Sequence, residues 1–410
     1  MKDRLDVLMV QAAAIEGYPP TINQANLMAE AGIKVGVLCM WHPELEDKNL
    51  LNPSIKRWNG ARQWLSFKES LPPIWIRLFR QKAFAKKLAW IRRHLLPKIE
   101  IGYDNIGCRY LGPPERNKAT TIWHLHEHPD PKLAVSRGVC LAQDFIKRHA
   151  DSVDLIVVPD YGRADAMLDS GIVKKLPTVV MNCPRRLENI PANALQTTIG
   201  QFGFKNQSIV LYQGAVSDVQ CSDITVKSMW LWPEDSLLVF IGPVKEVCKQ
   251  KIMAIASTVD KKLADRIVFM PPVKYAELFS YTVGASLGLG LIRSQGEHYT
   301  YCSGASNKRF EYMACQIPQV ANSGPGMHQI IEKTGAGICV NPESPEAVGQ
   351  AISDLLKNKD KRNQMGKNGR RVHLEKFNYK VQFEPVLQHI ERLLRKLDSS
   401  SSYTETSNAK

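Results

Sequence analysis

The stretch Gly304-Ala305-Ser306-Asn307-Lys308-Arg309-Phe310-Glu311-Tyr312-Met313-Ala314-Cys315-Gln316-Ile317-Pro318-Gln319-Val320 decides how this chain is read. A loop delivers Ser306 or Asn307 as an N-cap to a short helix over 307–314. Two cations, Lys308 and Arg309, occupy its first turn, where they oppose the helix dipole unless an anion binds there. Glu311 lies one turn further in. Pro318 then opens a strand over 319–321, and Gly324-Pro325-Gly326 forms a second loop at that strand's end. Taken alone, the same residues also describe a surface helix with an incidental basic first turn.

Outward from this segment the chain alternates short β-rich runs with helical patterns. The predicted strands before it are 208–212, 237–241, 267–270 and 287–291, and 337–340 follows. Helices are predicted at 245–263 and 345–357. The first half has the same rhythm, with strands at 6–11, 34–40, 99–103, 121–125, 155–159 and 178–181 and a helix at 20–31. Such alternation predicts an α/β fold with parallel, doubly wound sheets. Two runs of this kind predict two Rossmann-like domains, 1–200 and 201–380, with a boundary in the polar stretch 188–207. An amphipathic helix follows at 381–398. The serine-rich end, 399–410, is too polar to pack and is expected to be disordered.

Composition limits the function classes. The chain has 410 residues, 44% hydrophobic and 23% charged, which excludes a fibrous or low-complexity protein. No run approaches the ~20 apolar residues that span a bilayer, and the N-terminus lacks the apolar core of a signal peptide. The nine cysteines are odd in number and form no Cys-x-x-Cys pair, which points to reduced thiols in a cytoplasmic protein. The net charge of +14 is concentrated. Residues 56–98 hold twelve Lys or Arg against one acid, Glu69, and four of the eight tryptophans. A basic stretch with aromatic and apolar residues at roughly helical spacing points to an anionic membrane surface. A solvated helix face with core aromatics is the competing reading. No recognised nucleic-acid-binding motif accompanies it, so no nucleic-acid partner is expected.

In the first half, Trp123-His124-Leu125-His126-Glu127-His128-Pro129 places three histidines at a strand end. Alternation puts His124, His126 and His128 on one side if the strand continues that far. Zinc binding, a structural cluster and a role for His126 and Glu127 are all compatible with that pattern.

The segment 304–320 resembles the donor-site signature of GT-B glycosyltransferases, in particular the large retaining glycosyltransferase family 4, whose pattern is roughly Pro/Ser-x-Lys-x-x-Glu-Tyr-Met-Ala-x-x-x-Pro-Val-Val. Leu211-Tyr212-Gln213-Gly214, Tyr275-Ala276-Glu277-Leu278 through Leu291, residues 154–159 and Val180-Met181-Asn182-Cys183-Pro184 resemble further parts of that family. The resemblance implies two Rossmann-like domains facing across a cleft, with the C-terminal helix crossing back to the first domain. It implies an EC 2.4 hexosyltransferase-type enzyme that retains anomeric configuration and uses a nucleotide-diphosphate sugar, expected to be UDP-linked, without a metal or other cofactor. Glu311 matches the family's ribose-binding Glu. Lys308 and the backbone near Ser306 and Asn307 match the diphosphate site. His126 and Glu127 match a His-Glu pair on the acceptor side, and Asp104 matches the Asp of a His-Asp pair whose His is Tyr103 here.

Two positions depart from the pattern. An earlier Glu, eight residues before Glu311, is Ser303. The loop 215–221 lacks the family's phosphate-clamping Arg, and Gln220 stands at about its place. The basic segment makes a lipid-linked or membrane-proximal acceptor the leading expectation, with peripheral association at the inner face of the cytoplasmic membrane. Glycosylation of a soluble secondary metabolite and a non-catalytic GT-B partner protein are the alternatives.

Overall fold

The computed structural model describes residues 4–42, 46, 47, 49–62, 74–129 and 137–407. The chain divides into two compact units. One comprises Met1–Pro159, Arg163–Val180 and Gln382–Lys410, and the other Asp160–Gly162 and Met181–Val381.

The first unit is built on a parallel sheet of seven strands: β1 (Val7–Gln11), β2 (Val35–Trp41), β3 (Lys56–Arg62), β4 (Ile99–Tyr103), β5 (Thr120–His124), β6 (Leu155–Val158) and β7 (Thr178–Val179). Their spatial order is β3-β2-β1-β4-β5-β6-β7. The second unit holds six parallel strands: β8 (Ser208–Gln213), β9 (Ser236–Ile241), β10 (Ile267–Met270), β11 (Leu287–Gly290), β12 (Gln319–Asn322) and β13 (Gly337–Val340). Their order is β10-β9-β8-β11-β12-β13. The central strands β1, β4, β8 and β9 are apolar runs buried along nearly their whole length, as expected when helices cover both faces. In each sheet the winding reverses beside the first strand, between β1 and β4 and between β8 and β11. Ligands of such sheets bind beyond the strand ends at these switch points.

The α/β prediction with two doubly wound sheets therefore holds. Three details differ. A seventh strand, β3, lies inside the basic segment. It is an edge strand on which Lys56 stays exposed and Arg57 pairs with Glu16 at 2.8 Å, so neither carries the apolar alternation of an inner strand. The units divide at Val180 and Met181, ahead of the polar stretch 188–207, because Leu195 and Ile199 are buried in the second core alongside Ile209 and Leu237. The last helix runs Tyr379–Ser407, through most of the stretch expected to be disordered; no glycine or proline follows Pro385 to stop it.

The helix Ile74–Leu95 packs on β3 and separates its aromatic residues. Phe84, Leu88 and Ile91 enter the core with Leu8, Val10 and Leu38. Gly60 makes room for the Phe84 ring, since a Cβ there would stand 2.4 Å from it. Phe79 and Trp90 stay exposed, at 73% and 46%. At 100° per residue they share one face with Lys82, Lys86 and Arg93. Trp64 and Lys68 of the basic segment lie outside the described residues. Among the described residues no helix is long and apolar enough to cross a membrane.

Candidate functional site

In the second unit β8 ends on Gln213, a polar residue that is almost fully buried. Its Nε2 donates to Glu311 Oε2 at 2.5 Å, and its Oε1 accepts from Thr282 Oγ1 at 2.9 Å. Glu311 projects from the helix Asn307–Ala314 and is itself buried. Burial pushes its carboxyl up to about 7, against the opposing effects of Gln213 and Lys308. Tyr312, on the same helix, donates to Leu211 O and Leu289 O and so pins the helix across β8 and β11. Gly288 leaves space for its ring, which would meet a Cβ at 2.6 Å.

Ser306 is the N-cap residue, in an extended conformation, and its side chain caps nothing. Lys308 does not stay at the helix start. Its Nζ donates to Tyr212 Oη at 2.8 Å and to Gln220 Oε1 at 3.1 Å, and it lies 4.3 Å from the centre of the Tyr212 ring. Desolvation, with the neighbouring Arg309 charge, lowers its ammonium to about 7. Arg309 is fully buried and donates to Cys302 O, Gly290 O and Asn322 Oδ1. It fixes the loop ahead of the helix rather than facing a ligand. The structure thus brings Lys308, Glu311 and Gln220 to the carboxyl edge of β8, with Ser306 and Asn307 at the helix start.

Ser303, at the departed Glu position, donates to Asp160 Oδ2 at 2.7 Å, and Gly304 N donates to the same oxygen. Arg293, which follows β11, touches the loop 215–221 by donating to Asp218 O. Its charge is already engaged by Asp223 and Glu343, each at 2.9 Å.

The first unit repeats the motif. Its first strand, β1, also ends on a buried glutamine. Gln11 Nε2 donates to Asp104 Oδ2 at 3.3 Å, and Gln11 Oε1 accepts from Thr21 Oγ1 at 3.0 Å. Asp104 stands just past β4 with a left-handed φ of 55°. Its Oδ1 accepts the backbone N–H groups of His126 and Glu127. Burial raises its carboxyl to about 6.

His126 and His124 do face the same side, with ring centres 4.2 Å apart, both stacked near Tyr103. Gln24 bridges His124 Nδ1 and the Tyr103 hydroxyl. Burial, with the Arg163 charge, holds His126 down at about 3, so its ring is neutral in the ordinary pH range. Its Nε2 faces Thr21 Oγ1 at 3.4 Å, and its buried Nδ1 has no hydrogen-bond partner among the described residues. Glu127 reaches solvent; its carboxyl is raised by desolvation and by Asp104. Among the described residues no group of three or more His, Cys, Asp or Glu could hold a metal ion.

Residues 308–372 match the family model described as "Glycosyl transferases group 1". The fold is GT-B. Solved structures align along nearly the whole chain at low identity. An Anabaena protein, HepE, in complex with UDP-glucose has a TM-score of 0.71 at 13% identity, over 96% of this chain and 99% of its own. A sucrose-phosphate synthase from Thermosynechococcus elongatus has a TM-score of 0.70 at 16% identity, over 97% and 100%. WaaG, a glycosyltransferase involved in lipopolysaccharide biosynthesis, has 0.66 at 14% identity, over 94% and 99%. No curated protein sequence gives a significant match. The stretch that matches this model starts at Lys308 and so includes Lys308 and Glu311. Gln213, Thr282, Gln11 and Thr21 were not anticipated from sequence. The available signal was a glutamine closing an otherwise apolar strand, which occurs at β1 and at β8.

Proposed function

We propose that the protein is an active retaining glycosyltransferase that moves a sugar from a nucleotide-diphosphate sugar, UDP-linked, to an acceptor hydroxyl. The observation that carries this reading is that Lys308 and Glu311, both within the stretch matching the group 1 glycosyltransferase model, meet the end of β8 at the β8–β11 switch point, Lys308 on Tyr212 and Glu311 on Gln213. In this reading Glu311 accepts the ribose hydroxyls. Lys308 turns from Tyr212 to the diphosphate, joined by the first-turn N–H groups of the helix from Asn307 onward, whereas the Ser306 N–H is already held by Cys302 O. These groups stabilise the charge that develops on the leaving diphosphate.

The acceptor oxygen bonds to the anomeric carbon as the carbon–diphosphate bond breaks. The acceptor proton passes to a diphosphate oxygen on the same face, so the reaction needs no protein nucleophile and no metal. His126 acts as a neutral hydrogen-bonding group through its unpartnered Nδ1, and Glu127 orients the acceptor. Asp104 is a positioning residue for both.

The acceptor in this reading is lipid-linked or membrane-proximal. Support comes from the exposed face of Phe79, Lys82, Lys86, Trp90 and Arg93, which pairs aromatic side chains with cations as interfacial helices do. A non-catalytic role is favoured by one observation: Lys308 is engaged by Tyr212 and Gln220, and no arginine stands in the loop 215–221.

Calorimetric titration with UDP, GDP, ADP and TDP, repeated on Lys308→Ala and Glu311→Ala, tests the donor site. Selective binding of UDP that is lost in both variants, with UDP-sugar hydrolysis or transfer by the native protein, supports the enzyme. No binding to any nucleotide overturns it in favour of the non-catalytic reading.

A further inference from the structure

At the other end of the first sheet, away from the strand ends that carry Asp104 and His126, lies a cavity of about 390 Å³. Five cations line it, Arg4, Arg92, Lys98, Arg116 and Lys118, with Glu100 as its one carboxylate. Arg4, Lys98 and Lys118 come from the residues just ahead of β1, β4 and β5, three adjacent strands in the sheet. Their convergence is therefore fixed by strand order rather than by flexible loops.

The five do not have equal duties. Arg92 grips the buried Glu100 through both oxygens, at 2.7 and 2.5 Å, and also donates to Leu111 O. Lys98 bridges Asp6 and Asp398, each at 2.8 Å. Arg4, Arg116 and Lys118 make no ion pair or side-chain hydrogen bond among the described residues. Three unneutralised cations around one concave space repel one another, and a multiply charged anion relieves that repulsion. Guanidinium groups match phosphate oxygens in bidentate geometry, and the ammonium adds a point charge.

We propose that this cavity is a phosphate-binding site, taking a phosphomonoester or diphosphate group, separate from the sites of the glycosyl-transfer reaction. Arg4, Arg116 and Lys118 contact the anion, while Arg92 and Lys98 hold the floor. The phosphate belongs either to a lipid headgroup or to a soluble molecule. The cavity adjoins the C-terminal end of the basic helix through Arg92 and Leu96.

The probes are inorganic pyrophosphate, and phosphatidylcholine vesicles alone or carrying phosphatidic acid or phosphatidylglycerol. Arg116→Ala/Lys118→Ala removes two exposed cations that hold nothing in place, so its unfolding midpoint should stay unchanged. Saturable pyrophosphate binding that weakens about 10-fold or more in this variant, and is unaltered in Lys308→Ala, supports the site and separates it from the donor site. Vesicle binding that requires phosphatidic acid, is competed by pyrophosphate and is lost in the double variant identifies the lipid headgroup. Pyrophosphate binding without that vesicle dependence identifies a soluble ligand. The proposal is overturned if neither probe responds to the double variant, or if Lys82→Ala/Lys86→Ala lowers pyrophosphate binding equally.

Discussion

Gln213 holds Glu311 at 2.5 Å from the end of the first strand of its sheet, and it is held in turn by Thr282. Gln11 stands at the same place in the other sheet and makes the same pair of contacts, to Asp104 and Thr21. Each unit thus fixes one buried carboxyl at its switch point with an amide whose orientation a threonine hydroxyl dictates. A carboxyl held in this way is shielded from water and close to neutral charge balance near pH 6–7.

UDP affinity is expected to pass through a maximum near pH 7. Below it Glu311, raised to about 7, takes up a proton and loses its strength as an acceptor. Above it Lys308, lowered to about 7, loses the charge that attracts the diphosphate. The two groups interact, so the two limbs belong to the pair. Each limb should approach about 10-fold per pH unit. Titrations from pH 5.5 to 9 check this, and Glu311→Gln should flatten the acid limb. An affinity that is level across the range contradicts it.

Asp104 gives a second, opposite test on stability. Its folded carboxyl lies above its ordinary value, so its contribution is fully present below about pH 4 and is lost as pH rises through about 6. Relative to Asp104→Asn, the native protein should lose about 1–3 kcal/mol between pH 4 and pH 7 in urea unfolding. Asp104→Ala leaves the N–H groups of His126 and Glu127 without their acceptor and puts alanine at a left-handed φ, at a cost of about 2–4 kcal/mol.

Gly242→Ala should damage the donor site through the backbone. A Cβ at Gly242 would stand 2.2 Å from Gly214 O, at a φ of +147°. The expected cost is about 2 kcal/mol or more. UDP binding should fall with it, because the space beside Gly214 is taken by the Lys308 side chain at 3.5 Å. Gly32→Ala is the control, with a φ of +81° and no atom within 4 Å. It should cost only about 1 kcal/mol, from backbone strain alone. Equal losses in the two variants would contradict the steric account.

The basic helix separates packing from surface binding within three residues. Leu88→Ala should cost about 2–5 kcal/mol, since Leu88 is buried against the first core. Trp90→Ala should change stability by less than about 0.5 kcal/mol, yet lower binding to anionic vesicles. That binding should weaken as salt rises. Co-sedimentation at two salt concentrations measures both effects. Equal binding to neutral vesicles would refute the electrostatic attraction.

The layers of the fold were legible because parallel strands buried on both faces leave an unbroken apolar run, as in Ile209-Val210-Leu211-Tyr212. β3 was not, because on this edge strand Lys56 stays exposed and Arg57 finds a partner in Glu16, so neither belongs to an apolar run. Lys308 and Glu311 were legible as members of one helix. Their partners were not, since Gln213 is 98 residues from Glu311 and Gln11 is 93 from Asp104. Such pairs are created by strand order, which no local spacing encodes. The destination of Lys308 was also hidden: helix position suggests solvent or an anion, whereas the Tyr212 ring and hydroxyl draw it inward.

The return of the last helix to the first unit sets the order in which this protein can be born. Phe383, Val386, Ile390 and Leu394 are buried, His389 pairs with Asp154, and Asp398 pairs with Lys98. A ribosome that has finished residue 180 must still make the whole second unit before these side chains exist. At roughly 5–20 residues per second that interval is on the order of 10–40 s. For that time the nascent first half carries an uncovered apolar strip. The second half, whose residues are nearly continuous in sequence, can close its core without waiting, so the unit made first is the one completed last.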